Sequence, residues 1–250
     1  MNTPEVFRLG KKPPEEDPLG RTLKFSKYVI PSELPPIPPM VNWGDIVKKW
    51  YMLGNDRRGD CTFAGAMHLD MLWTANAGEP FIPTDQQVVD AYDTFTHGID
   101  SGCTMLSLLK LWRKKGICGR KIIAFVSIDS TNRNEVKEAI NLFGGLIIGL
   151  SLPDYTVPYT GDWPNIPWWS TAAAPNDDNG HCVSIVCYED YLKVVTWGKK
   201  KNMGFPFFAK YCGGEAFAIV TSDWINKQGK SPNGFDLNTL LKDLKLVTAL

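Results

Sequence analysis

Two short segments of the 250-residue chain carry side chains suited to nucleophilic chemistry. In the first, Gly59-Asp60-Cys61 leads into an apolar run with helical periodicity, so Cys61 falls in the first turn of a predicted helix. The positive end of a helix dipole favours a thiolate there, and first-turn N–H groups can stabilise an oxyanion. A free cysteine is more often a small buried hydrophobic residue, so this segment alone is a weak indication of catalysis.

The second segment places His181 directly after Asn179-Gly180, at the start of a predicted strand. A histidine in that position can act as a general base toward a thiol on a facing element, or it can be a structural residue. The other two histidines are weaker candidates, because His68 lies inside the first predicted helix and His97 precedes Gly98 in a turn.

The elements that must position these residues form two halves. Within residues 41–120 the pattern is helical, and Thr84 with Gln87 has the form of a capping box. Residues 121–250 are rich in β-branched and aromatic runs. The predicted helices are 61–76, 84–92, 105–115, 133–143 and 237–246, and the predicted strands are 121–128, 146–152, 182–188, 192–196 and 216–221. This order predicts an α+β fold with a cleft where the halves meet.

Residues 1–40 differ from the rest because they contain half of the chain's 18 prolines. Such a composition favours extended conformations over packed helices. We therefore predict an arm that lies over the domain of residues 41–250 or connects it to another molecule. The tryptophan-rich segment 153–180 is too long for a simple connection, so we expect it to be functional.

Charge and hydropathy exclude several classes of partner. Lys plus Arg equals Asp plus Glu at 27 each, so no net field attracts nucleic acid or an anionic membrane, and neither is an expected partner. No stretch approaches the ~20 apolar residues that span a bilayer. The first residues lack the apolar centre of a secretory signal, so we expect the chain to stay in the cytoplasm of the producing cell.

The six cysteines show neither a disulfide framework nor a metal site. They are scattered without a CxxC pair and without a histidine at metal-ligand spacing. We therefore expect free thiols, and we expect neither a metal nor another cofactor.

The order of several short motifs resembles the papain family of cysteine peptidases. Val41-Asn42-Trp43 resembles the start of the mature papain domain, and Gly59-Asp60-Cys61 resembles its nucleophile block. The segment 100–103 is similar to a glycine- and cysteine-containing stretch of the family, and Thr196-Trp197-Gly198 to the segment after its histidine hairpin. The resemblance implies a papain-like α+β fold with a helical N-terminal half and an antiparallel sheet in the C-terminal half.

The resemblance also implies roles for individual residues. Cys61 would be the nucleophile, His181 its general base, and Asn55 the amide of the oxyanion hole. Trp197 would shield the pair from water. The residues expected to flank the substrate are Gly102, Trp168, Trp169 and Gly180.

Four departures from the family pattern are present, and the first is that Asn55 stands where the family has a glutamine. Val195 stands where the family has the asparagine that orients the histidine, and Thr62 replaces a tryptophan. Cys103 matches a family cysteine whose usual disulfide partner is missing here. The hydroxyl of Thr196 is the nearby group that can orient the imidazole instead.

Two functions therefore stay open. One is a thiol hydrolase, a cysteine peptidase acting on peptide substrates, which Cys61, His181 and Asn55 favour. The other is a papain-fold structural or binding protein, for example a virion component of a phage, whose cleft or arm engages a protein partner. Val195 and the proline-rich arm favour the second, and the motif pattern resembles a divergent branch found in bacteria and phages.

Overall fold

The computed structural model describes residues 7–15, 23–28, 36–157 and 168–224, together with Pro232. The predicted helix at 237–246 lies outside these ranges, as do residues 158–167 of the tryptophan-rich segment. No helix within them is long and apolar enough to cross a membrane.

The helical half consists of three helices, as the sequence predicts. They are α2 (Cys61–Asn76), α3 (Asp85–Thr96) and α4 (Met105–Lys114), preceded along the chain by the short α1 (Phe25–Tyr28). The capping box at α3 is confirmed: the Thr84 hydroxyl accepts the Gln87 N–H at 3.2 Å, and the Gln87 side chain accepts the Thr84 N–H at 2.8 Å. The helix continues to Thr96 and ends at His97 in the left-handed conformation.

A seven-stranded sheet with the order β1-β2-β7-β3-β4-β5-β6 combines six strands of the second half with β1 from residues 1–40. Its strands are β1 (Leu23–Lys24), β2 (Ala124–Ser127), β3 (Leu146–Ser151), β4 (Gly180–Tyr188), β5 (Leu192–Thr196), β6 (Lys199–Met203) and β7 (Ala216–Val220). All neighbouring pairs are antiparallel except β1–β2. The helix α5 (Arg133–Phe143) precedes β3, and the predicted α+β architecture is confirmed.

Four elements escaped prediction: the short β1 and α1, which lie in the proline-rich arm, and β6 and α6, for which there are physical reasons. The strand β6 contains three consecutive lysines, which resemble a loop in sequence but are common in edge strands because they discourage association. The helix α6 (Phe205–Tyr211) has a proline in its first turn, where a missing N–H costs no hydrogen bond.

Close packing of α2 on β4 brings the two halves together. The Ser184 hydroxyl donates to the carbonyl of Gly65 at 2.6 Å, and a Cβ at Gly65 would lie 3.1 Å from the Cys182 sulfur. A side chain at position 65 would therefore push helix and strand apart. At the N-terminal end of α2, the Cys61 thiol lies beside the backbone of Cys182, the residue that follows His181 in β4.

Candidate active site

Cys61 is the first residue of α2 and is 1% exposed. Burial raises the pKa of its thiol to about 12, and the backbone of Cys182 and of Gly10 beside it opposes the shift. The neighbouring Asp60 is also fully buried, and burial raises the pKa of its carboxyl well above the usual range. In this arrangement Cys61 is a neutral thiol.

His181 is the second residue of β4, and its imidazole is held from one side by Thr196. The His181 Nε2 lies 2.7 Å from the Thr196 hydroxyl, whereas the buried Nδ1 has no hydrogen-bond partner among the described residues. Burial lowers the pKa of His181 to about 3, so the imidazole is neutral. One ring nitrogen is thus oriented by Thr196, and the other is buried and makes no hydrogen bond to the Cys61 sulfur.

Strand alternation explains why Thr196, and not Val195, orients the imidazole. Val195 lies opposite Ser184 in the β4–β5 register and packs with the α2 side of the core, in the same cluster as Cys61. Successive side chains of a strand point to opposite faces, so Thr196 is turned away from that cluster and reaches His181.

The turn after β5 places Trp197 over the imidazole. Trp197 and Gly198 connect β5 to β6 and both have positive φ, at 44° and 69°, as in the two-residue turns that suit twisted hairpins. The Trp197 ring stacks on the His181 ring at 4.1 Å between centroids, and its indole N–H donates to the carbonyl of Arg8 at 3.0 Å. The tryptophan that stacks on His181 is therefore also hydrogen-bonded to the N-terminal segment.

Asn55 lies at the same end of the cleft and is buried. The side-chain amide of Asn55 donates to the backbone carbonyl of Arg58 at 3.1 Å. The backbone carbonyl of Asn55 accepts the N–H of Arg8 at 3.0 Å. The amide is thus fixed in position, and it also lies close enough to the Asp60 carboxyl to oppose the rise of its pKa.

Residues 7–12, which we term the cleft segment, lie in the cleft in extended form. Their backbone bonds to both walls: Lys11 N–H donates to the Gly180 carbonyl at 3.1 Å, and Cys103 N–H donates to the Gly10 carbonyl at 2.9 Å. Lys12 N–H completes the ladder by donating to the Cys103 carbonyl at 3.0 Å. Residues 7–12 therefore lie across the cleft at Cys61, whose thiol is close to the Gly10 backbone.

Glycines allow this close approach. A Cβ at Gly10 would lie 1.7 Å from the Gly59 carbonyl oxygen, and one at Gly102 would lie 2.2 Å from the Gly10 carbonyl oxygen. A Cβ at Gly180 would lie 1.9 Å from the Lys11 carbonyl oxygen. Gly102 and Gly180, expected to flank a substrate, are in contact here with a peptide backbone of the chain itself.

The two tryptophans expected beside the substrate lie elsewhere. Trp168 is fully buried and stacks on Phe207 at 5.6 Å, so it belongs to the core and lines no groove. Trp169 is half exposed and packs edge-on against Tyr191. Neither is among the residues that line the space around the cleft segment, and we do not propose either as substrate-binding. A tryptophan in a loop signals burial as readily as binding.

Sequence reasoning missed two functional candidates, Lys11 and Glu215. The Lys11 Nζ lies 2.5 Å from a Glu215 carboxylate oxygen beneath the cleft segment. The two residues are 204 positions apart, and neither stands in a recognisable motif. The one available signal was the run of basic residues in an arm with no apolar periodicity.

All six cysteine positions lie within the described ranges. All six cysteines are free thiols. Within the described ranges no group of three His, Cys, Asp or Glu side chains is arranged to hold a metal ion.

Fold and cleft together define a papain-like architecture. Xylellain, a cysteine protease from Xylella fastidiosa, is similar with a TM-score of 0.67 and 15% identity, covering 88% of this chain and 98% of that one. Digestive procathepsin L 3 of the Tenebrio molitor larval midgut has a TM-score of 0.57 and 14% identity, covering 86% and 76%. The proform of Amb a 11, a cysteine protease and ragweed pollen allergen, has a TM-score of 0.54 and 17% identity, covering 76% and 69%.

These structural neighbours are papain-like cysteine proteases, and at such identities the likeness shows the fold. A scan against protein-family models found no match, and a search of curated proteins found none either.

Proposed function

We propose that this protein is a papain-like thiol hydrolase, a cysteine peptidase whose cleft is closed by its own cleft segment. One observation carries the proposal: the cleft above Cys61 binds an extended polypeptide by backbone hydrogen bonds to Gly180 and Cys103. A site that holds a peptide backbone beside a nucleophile and an oriented imidazole suits attack on a peptide carbonyl.

The proposed reaction uses groups of this chain alone. After the cleft segment has left, His181 Nδ1, which makes no hydrogen bond to Cys61 in the closed cleft, takes the proton of the Cys61 thiol, and the sulfur adds to the substrate carbonyl carbon. The Asn55 amide and the Cys61 backbone N–H stabilise the resulting oxyanion. His181 then protonates the amine as the C–N bond breaks, and water hydrolyses the thioester to release the acid and restore the thiol.

The closed cleft explains why the pair is neutral. The cleft segment excludes water from Cys61 and His181, and exclusion of water disfavours both the thiolate and the imidazolium. Departure of the segment admits water or substrate and lowers this penalty. Two of the similar structures are described as proforms, which supports a latent state of this kind.

The second candidate is a papain-fold structural or binding protein, such as a virion component. The observation that favours it is the His181 Nδ1, which is buried without a hydrogen-bond partner among the described residues. In a binding protein this imidazole would remain neutral at every pH of interest, and the cleft would serve only to hold a peptide.

Alkylation of Cys61 against pH distinguishes the two candidates. Iodoacetamide labelling is followed by peptide mass spectrometry in Gly10→Ala, a variant designed to release the cleft segment, and in Gly10→Ala combined with His181→Ala. A peptidase predicts fast Cys61 labelling well below about pH 8 that is lost with His181. The buried Cys212 serves as an internal control for unfolding. Labelling that follows an ordinary thiol pKa in both variants would overturn the catalytic proposal.

A further inference from the structure

A buried ion pair lies beneath the cleft segment. Lys11 enters a pocket below the backbone ladder, and its Nζ lies 2.5 Å from a carboxylate oxygen of Glu215, with 2% of the lysine side chain exposed. The backbone bonds of Gly10 and Lys12 to Cys103 flank Lys11 on both sides and direct its side chain inward. The Lys11 side chain therefore occupies a pocket of the domain and pairs there with Glu215.

The shape of the pocket depends on Gly149 in β3. A Cβ at this position would lie 2.7 Å from Lys11 Cδ and 2.9 Å from the Glu215 carboxylate, so any larger residue would displace the lysine stem. Met105, at the start of α4, lies against the same space, 3.1 Å from that Cβ position. The pocket thus has an apolar wall for a methylene stem and a carboxylate at its end.

Glu215 is held in place by its backbone. Its carbonyl accepts the N–H of Gly149 at 2.8 Å, and its N–H donates to the carbonyl of Cys212 at 3.0 Å. Burial raises the pKa of its carboxyl, and Lys11 opposes this shift. A buried carboxylate without a partner is costly, so the pocket favours a cation.

The rim of the cleft is acidic, as is the Glu215 side chain in the pocket. Asp100, Asp177 and Asp178 line the space around the cleft segment, and Arg8 and Lys12 of that segment line it from the other side. An acidic rim above an acidic pocket attracts a basic peptide.

We propose that the pocket is a specificity site for a lysine side chain of an extended peptide, with Glu215 as the specificity-determining residue and Lys11 as its resident occupant. The proposal rests on the proposed function only in taking such a peptide to be a substrate. Binding of the lysine itself requires neither Cys61 nor His181 as a reactive group.

Binding is tested on the full chain with three substitutions: Gly10→Ala to release the cleft segment, Lys11→Ala to empty the pocket, and Cys61→Ser to prevent turnover. A fluorescent hexapeptide with the sequence of residues 7–12 is compared by anisotropy with the same peptide carrying norleucine at the Lys11 position. We expect the norleucine peptide to bind about tenfold more weakly, and the difference to vanish when Glu215→Gln is added. Equal binding of the two peptides, a difference that survives Glu215→Gln, or no binding of either would overturn the proposal.

A second measurement uses the resident segment and needs no added ligand. Lys11→Met and Glu215→Gln should each speed alkylation of Cys61 by about tenfold, because each leaves one partner of the pair buried alone. The double variant should be no faster than the faster single variant. Lys12→Met removes an exposed lysine that faces the acidic rim and should speed alkylation by no more than about twofold, because exposed charge pairs contribute little. Additive effects, or an equal effect of Lys12→Met, would contradict a dedicated lysine pocket.

The outcomes separate the pocket from the proposed activity. If the protein lacks peptidase activity, the lysine preference in binding and the Lys11–Glu215 coupling are still expected. If it is a peptidase with no pocket of this kind, kcat/KM will be the same for lysine and norleucine substrates.

Discussion

The Cys61 thiol and the His181 imidazole have pKa values of about 12 and about 3 in the closed cleft. A thiolate–imidazolium pair forms without external help only when the imidazole holds a proton more tightly than the thiol. Burial produces the opposite order here. The residues that resemble a catalytic pair are therefore in their least reactive state while the cleft segment is in place.

Replacement of Thr196 by valine tests how the imidazole is held. Thr196→Val removes the hydroxyl that lies 2.7 Å from His181 Nε2 and leaves a buried ring nitrogen without this partner. We expect the free energy of unfolding, measured by urea denaturation, to fall by about 1–3 kcal/mol. We also expect a roughly tenfold loss of His181-dependent alkylation of Cys61 in the Gly10→Ala background.

The matched control is Thr196→Ser, which keeps the hydroxyl and loses one methyl group. It should retain the His181-dependent rate. A serine variant as impaired as the valine variant would mean that packing, and not the hydrogen bond, accounts for the effect.

At the scale of elements, the cleft segment behaves as an added strand between the two halves. It bonds to the Cys103 region on the helical side and to the first residue of β4, Gly180, on the sheet side. Main-chain bonding of this kind depends little on side chains and strongly on close backbone approach. Glycines at the contact points are therefore more important than the apolar content of the segment.

Gly10→Ala should open the cleft without unfolding the domain. The new Cβ would lie 1.7 Å from the Gly59 carbonyl oxygen, a distance that no side-chain adjustment relieves. We expect Cys61 alkylation at a fixed alkaline pH to rise at least about tenfold, because solvent access now limits the rate. Lys12→Ala, which keeps the backbone N–H to Cys103, should react like the parent. An unchanged rate in Gly10→Ala would show that the segment does not control access.

At the scale of the whole molecule, two buried histidines make stability depend on pH. His68 lies inside α2, where its Nε2 is 2.8 Å from the Tyr51 carbonyl, and burial lowers its pKa to about 4. An unfolded histidine has a pKa of about 6.5. Between these values the unfolded chain binds more protons at this site, so acidification favours unfolding.

His68→Gln should remove the contribution of this one titrating group to the pH dependence of stability. A glutamine can donate to the Tyr51 carbonyl and does not titrate. As the pH falls below about 6.5, we expect the parent to lose about 1.4 kcal/mol per pH unit more stability than the variant. Urea denaturation at several pH values between 7 and 4 measures the difference. Parallel pH curves for the two proteins would contradict a neutral buried His68.

The net charge of zero conceals a local polarity that matters for partners. The cleft rim and Glu215 are acidic, and the segment that fills the cleft is basic. A sum over the chain cannot reveal this arrangement, because it depends on which residues the fold brings together.

Local sequence patterns were sufficient to predict much of the fold. Apolar periodicity predicts α2 with Cys61 at its start, the Thr84 capping box opens α3, and β-branched runs mark β3 and β5. These features are determined by neighbours a few residues apart, so one sequence can reveal them. The lysine-rich β6 was missed because its edge position, which makes it a strand, is a property of the whole sheet.

Cys61 and His181 could thus be assigned to the starts of a helix and a strand by the sequence alone. Only the tertiary structure decided that Thr196 orients the imidazole, that Trp168 belongs to the core, and that residues 7–12 fill the cleft with Lys11 bound to Glu215. Backbone contacts and an ion pair between positions 204 residues apart leave no periodicity in either segment. They exist because the packing of two halves creates a cleft, and its occupant is chosen by shape and charge.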